Sequence, residues 1–198
     1  MQQPTTRRAI QTIIREHRQL STVINGMTRF AELLSEGPHA PEPVVLRAML
    51  YYIREFPERV HHPKEDKYLF PRLRSRTNEL GEVVEKLRAQ HEEGEARVRQ
   101  LEDALTRYEL TGSSAAPALQ SLVHAYAAFY SHHRRLEEEV ILPAALQYLS
   151  AAEWMELDEE FGANDDPFGG SEPQPELDRL ETESKRPHWG LLTFSASC

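Results

Sequence analysis

His61-His62-Pro63-Lys64-Glu65-Asp66-Lys67-Tyr68-Leu69-Phe70-Pro71 has a near copy seventy-two residues later, His133-Arg134-Arg135-Leu136-Glu137-Glu138-Glu139-Val140-Ile141-Leu142-Pro143. Each reads His-x-x-x-Glu-acid, then an apolar run, then proline. On a helix, side chains four apart stack on one face, so His61 with Glu65, and His133 with Glu137, can each aim an imidazole nitrogen and a carboxylate oxygen at a common point. That is how a helix presents two ligands to a metal ion. Each copy follows a single histidine set in an apolar-periodic segment: His17 lies forty-four residues before His61, and His91 forty-two before His133. The chain therefore reads as two tandem helical hairpins, each giving one His from its first helix and a His and Glu from its second.

The hydrophobic period supports four long helices. Ile10, Ile13, Ile14, His17, Leu20, Ile24 and Met27 share one face of a segment over about residues 6–36, which the cluster Gly37-Pro38-His39-Ala40-Pro41-Glu42-Pro43 ends. A second segment, 44–76, carries Leu46, Leu50, Ile53, Phe70 and Leu73, and its interior Pro57 and Pro63 predict a kink or short break near the first His-x-x-x-Glu. A third, 77–110, places His91 in a stripe from Leu80 to Tyr108. The fourth places His133 and Glu137 in a stripe with Leu119, Val123, Tyr126, Tyr130, Val140 and Ala144. Ser150 and Glu153 form a capping box ahead of a short fifth helix bearing Trp154, Met155, Leu157 and Phe161.

Short loops between four long helices favour an all-α, up-down-up-down four-helix bundle over residues 1–165. Residues 166–198, rich in Pro, Gly and acids, read as a flexible, disordered tail. No apolar run is long enough to span a bilayer, and a soluble cytoplasmic protein is expected. The formal charge of −9 argues against nucleic acid as a partner. The single cysteine, Cys198, excludes a thiolate metal site within one chain, so any metal must be held by nitrogen and oxygen.

Four imidazoles and two carboxylates pointing into a bundle are too many polar groups to bury for packing alone, since each unpaired one costs about 1 to 3 kcal/mol. A metal cluster compensates them directly. Six donors exceed what one zinc takes, and two matching half-sites suggest two metals, with Glu65 and Glu137 bridging. Imidazole with carboxylate suits iron or manganese and admits zinc; iron leads because its open positions support oxygen chemistry. Glu95, one turn beyond His91, is a weaker candidate and reads better as a solvated surface carboxylate. Glu16, Asp66 and Glu138 adjoin the candidates and could orient them by hydrogen bonds, although an exposed surface carboxylate is the favoured reading of each. His62 and Asp66 form a chance pair, Tyr126 and Tyr130 read as core packing, and His39, His124 and His188 fail the stripe test.

The order His, His-x-x-x-Glu, His, His-x-x-x-Glu, with the Leu69-Phe70-Pro71 and Ile141-Leu142-Pro143 endings, resembles the hemerythrin-like proteins with the HHE cation-binding domain. The likeness extends to Arg15-Glu16-His17-Arg18 and to Asn164-Asp165-Asp166-Pro167 and covers about residues 6–165. It implies a non-heme di-iron centre ligated by His17, His61, Glu65, His91, His133 and Glu137, with manganese or zinc less favoured. It also implies a small-molecule partner: oxygen, nitric oxide or peroxide. A binder, sensor or redox and iron-handling protein is the leading expectation. A di-iron enzyme with peroxidase-like, catalase-like or nitric-oxide-reducing turnover is one alternative, and a structural or regulatory bundle with zinc or no metal is another. One position departs from the pattern. Oxygen-carrying hemerythrins have His-x-x-x-His on the third helix, where this chain has His91-x-x-x-Glu95. One metal then lacks a His, accepts Glu95 or water, or takes His62 or His132.

Overall fold

A computed structural model describes residues 7–34 and 40–162. The expected tail, His39 and His188 lie outside the described residues. Those described contain helices and no strand. Helix α1 spans Arg8–Leu33. A second arm is built from α2 (Pro43–Glu55), α3 (His62–Lys64) and α4 (Phe70–Arg76), linked through the turn residue Phe56 and π-helical turns at Pro57–His61 and Glu65–Leu69. Helix α5 (Gly81–Thr111) leads through a 3-10 turn at Gly112–Ala115 into α6 (Ala116–Leu136); a third π turn, Glu137–Ile141, continues into α7 (Leu142–Tyr148), and α8 spans Ala151–Gly162. Gly112, at φ 70°, takes the left-handed conformation that ends α5. No helix among the described residues is long and apolar enough to cross a membrane.

The interruption expected near Pro57 and Pro63 takes the form of a turn at Phe56 (φ −108°) followed by a π-helical turn, and the chain stays helical through Pro63. A proline within a helix lacks an N–H and its ring crowds the carbonyl four residues back; widening the preceding turn by one residue relieves that crowding without ending the helix. The wide bonds His62 N–H to Pro57 O, Phe70 N–H to Glu65 O and Leu142 N–H to Glu137 O each fall one residue before a proline, Pro63, Pro71 and Pro143. The extra residue shifts the helical phase. After Glu137 the buried positions are Ile141, Leu142, Ala145 and Leu149, whereas Val140 and Ala144, expected inside, are half-buried.

Helix α1 packs on α6 and on α2, α2 on α5, and α5 on α6, closing a ring of four. Two apolar layers fill it. One, containing Leu20, Ile24, Met27, Leu50, Ile53, Phe56, Val98, Leu101 and Tyr130, lies on one side of the histidines. The other, with Ile13, Leu69, Phe70, Leu73, Leu87, Ile141 and Leu142, lies on the other side. In every arm the chain passes from one layer to the other through its candidate ligands.

Helix α8 lies against α1 and buries Trp154, Leu157 and Phe161. Met155, expected on the same face, is exposed. The capping box forms, with Glu153 Oε2 accepting from the Ser150 amide at 2.8 Å and from its hydroxyl at 2.6 Å. Asp158 in turn accepts from the free amide of Ala9 at 2.7 Å, satisfying an orphan donor at the start of α1.

Candidate metal centre

The six candidates from four arms meet between the two apolar layers, all buried. His17, His61, Glu65 and Glu137 form one group whose ligand atoms lie within 4.8 Å of one another; Glu65, His91, His133 and Glu137 form a second. The two carboxylates belong to both. His17 Nε2 stands 3.2 Å from Glu137 Oε2, His61 Nε2 3.4 Å from Glu65 Oε1, and His133 Nε2 3.3 Å from Glu137 Oε1. His91 Nε2 is 3.6 Å from Glu65 and 3.7 Å from Glu137.

The outward nitrogens explain how the rings are held. His17 Nδ1 lies 3.0 Å from Glu138, His61 Nδ1 2.6 Å from Glu16, His91 Nδ1 3.0 Å from Asp66, and His133 Nδ1 3.2 Å from the Gln90 side-chain oxygen. An acceptor at Nδ1 puts the ring proton there and leaves the Nε2 lone pair facing inward, the tautomer a metal ligand needs. Glu16, Asp66 and Glu138 are therefore orienting partners, contrary to the surface reading of the sequence. Glu16 is 2% exposed.

Within the centre, both oxygens of Glu65, both of Glu137 and the Nε2 atoms of His91 and His133 are buried without a hydrogen-bond partner. So many orphaned acceptors in one place is a large penalty for a finished core, and a cation removes it. Donors about 2.0–2.2 Å from one ion stand roughly 3.0–3.5 Å apart. The separations here fall at or just above that range, so the residues fit a metal pair.

Electrostatics agree. Burial, reinforced by the Glu137 charge, pushes the Glu65 carboxyl up, while against burial the imidazoles of His133, His17 and His91 hold Glu137 well down. Burial also opposes charge on His17 and His91, but the adjacent Glu137 and Glu138 carboxylates raise His17 to about 8, and those of Asp66, Glu137 and Glu65 raise His91 to about 10. Burial lowers His133 to about 4. Without a metal, protons on two histidines offset the carboxylate charge that a cation would otherwise balance.

His62, half of a chance pair by its sequence spacing, belongs to the buried cluster. It is 6% exposed, and its ring stacks on His91 with centroids 4.3 Å apart and planes 9° apart. Its atoms join those of His91 and His133 in a third convergent group. The other substitutes lie outside. Glu95 is 59% exposed and paired with Arg99, His132 contacts Lys86, and His124 is exposed.

Over residues 8–145 the chain matches the family described as the hemerythrin HHE cation binding domain. It is 27% identical over 153 residues to uncharacterized proteins of Mycobacterium bovis and Mycobacterium tuberculosis, an alignment covering 77% of this chain and 59% of theirs. It thus spans little more than half the length of those relatives. With the match extending from the start of α1 into α7, across every residue of the buried cluster, the chain belongs to the hemerythrin HHE cation-binding family.

Proposed function

We propose that this chain is a non-heme di-iron protein that binds or reacts with oxygen, nitric oxide or hydrogen peroxide, serving as a binder, sensor or redox and iron-handling protein. His17, His61, Glu65, His91, His133 and Glu137 are its proposed ligands. The observation that carries the reading is the sharing of Glu65 and Glu137 by two four-residue groups, the arrangement expected of carboxylates that bridge two ions. The closed ring of contacts and the short connections at 77–80 and 112–115 support an up-down-up-down course for the four arms. A cytoplasmic setting is proposed with it.

When bound, iron supplies open coordination positions and one-electron redox change, the chemistry that a diatomic molecule or peroxide requires. The chain supplies the rest. Glu16, Glu138, Asp66 and Gln90 fix each ring with Nε2 inward, and the apolar layers on either side exclude bulk water. Imidazole and carboxylate donors together favour iron or manganese over a purely structural zinc.

The deciding experiment is metal analysis of protein from iron-supplemented cells, with visible spectra in air and after anaerobic reduction. Near two irons per chain and a band that bleaches on reduction support the proposal. An intact fold with no affinity for iron overturns it. A second reading, catalytic turnover of peroxide or nitric oxide at the same centre, is favoured by a cleft of about 270 Å³ lined by Arg54, Glu58, Glu95 and Arg99, whose wall includes the Glu58 partner of His62. Sustained turnover with iron retained separates it from simple binding.

A further inference from the structure

We propose that His62 is a further ligand of the centre, a third imidazole on the half formed by His91 and His133, held in place by Glu58 where that carboxylate passes over Gly94. The inference rests on the two-metal reading and adds to it a residue outside the repeated His-x-x-x-Glu pattern.

The geometry of His62 matches that of the four histidines already described. Its Nδ1 lies 3.3 Å from Glu58 Oε2, which favours the ring proton there and a lone pair on Nε2. Its ring reaches both neighbours, with centroids 4.3 Å from His91 and 5.2 Å from His133. One ligand atom from each of the three lies within 4.8 Å of the others. The Nδ1 atoms of all three point outward to Glu58, Asp66 and Gln90, which leaves the Nε2 atom of each neutral ring as its lone-pair nitrogen. A single proton serves one such nitrogen; a metal ion serves all three.

Glu58 is a built support and not a passing contact. Its side chain is 5% exposed although it lies on the arm facing the polar cleft. It needs room against α5, and Gly94 supplies it: a Cβ there would stand 3.0 Å from Glu58 Oε1. Glycine is the poorest helix former after proline, and at the middle of a 31-residue helix this close approach is a physical reason for it. Glu58 Oε1 itself is buried with no hydrogen-bond partner, and the hydrogen bond that the carboxylate makes goes from Oε2 to His62.

The test loads wild type, His62→Ala, Glu58→Gln and His124→Ala with ferrous iron and reads iron per chain together with Mössbauer spectra, with and without added imidazole. The expected result is two irons of unequal surroundings in wild type and in His124→Ala. In His62→Ala one iron should bind at least tenfold more weakly, or change its spectrum, while the other keeps its own; free imidazole should restore the wild-type spectrum by filling the vacated space. Glu58→Gln, which preserves size, should shift the spectrum of that same iron only, and it decides the matter if His62→Ala does not fold. Two irons with unchanged spectra in both His62→Ala and Glu58→Gln overturn the assignment of His62 and leave the six-ligand centre standing. Fewer than two irons in wild type overturn the two-metal reading itself.

Discussion

The Nε2 atoms of His17 and His61 face each other at 3.2 Å across forty-four residues of sequence, and each ring is steered there by a carboxylate behind it, Glu138 for His17 and Glu16 for His61. Two inward lone pairs at that distance repel unless a metal ion lies beside both or a proton between them. Glu16 is the more demanding partner because it is buried, so its loss would leave the His61 N–H unsatisfied in a dry site.

Glu16→Ala is therefore expected to weaken metal binding by about 10- to 100-fold, the usual effect of removing the group that orients a ligating imidazole. Competition against a chelator of known affinity measures it. Affinity within twofold of wild type would show that the 2.6 Å contact orients nothing of consequence.

Glu137 approaches His17, His91 and His133 at once, so Glu137→Ala should cost more than any single histidine. Loss of at least one metal is expected. Because a ligand that binds only the folded state stabilises it by about 2.7 kcal/mol at a hundredfold excess over Kd, chelation should lower the melting temperature of wild type and barely move that of Glu137→Ala. Exposed His124→Ala is the control and should match wild type in both. Equal melting temperatures for wild type with and without metal would sink the coupling.

Much of this centre is legible in the sequence because its residues obey a helical period. His17 and His91 lie in apolar stripes, and the two His-x-x-x-Glu pairs bring a nitrogen and an oxygen to 3.4 and 3.3 Å as the four-residue spacing predicts. Several of the residues that escape it lie beside a π turn. The π turns before Pro63, Pro71 and Pro143 each add a residue, and a strict 3.6 period then misassigns the positions around them: His62 as a bystander, Val140 in place of Ile141, Ala144 in place of Ala145. The prolines are the visible signal, and they mark widened turns where the sequence suggests breaks. Glu16, Asp66 and Glu138 escape for another reason, since a carboxylate beside a ligand shows its role only when the partner histidine on another helix is in place.

The junction between α7 and α8 carries a pH-dependent element remote from the candidate metal centre. Hydrogen bonds from Arg76 and then Ser150 lower the Glu153 carboxyl to about 2, below the unfolded value of about 4.3. A carboxyl depressed on folding contributes stability above its unfolded pKa and loses it as pH falls through the folded one. Glu153→Gln should thus be less stable than wild type by about 1 kcal/mol at neutral pH, the scale of a capping interaction, with the gap closing between about pH 4.5 and pH 2. Urea unfolding of both proteins across that range checks it. A gap that persists unchanged at pH 2 would assign the effect to packing.

Phe70 joins the core to the centre. It is fully buried in the layer with Leu69 and Leu73, and its ring lies 5.8 Å from that of His91 at 14°. His91 is thereby stacked between Phe70 on one side and His62 on the other, so its orientation depends on packing as well as on Asp66. Phe70→Ala should cost about 3 to 5 kcal/mol, the range for deleting a buried aromatic. Phe70→Leu, which keeps most of the volume, should cost about 1.5 kcal/mol or less. The two effects separate in the metal-loaded protein. If stacking positions His91, Phe70→Leu should fold nearly as well as wild type yet weaken the metal held by His91 and His133 relative to the one held by His17 and His61, as read by stepwise chelator titration. If the ring acts only as filler, both metals should leave Phe70→Leu at wild-type chelator concentrations.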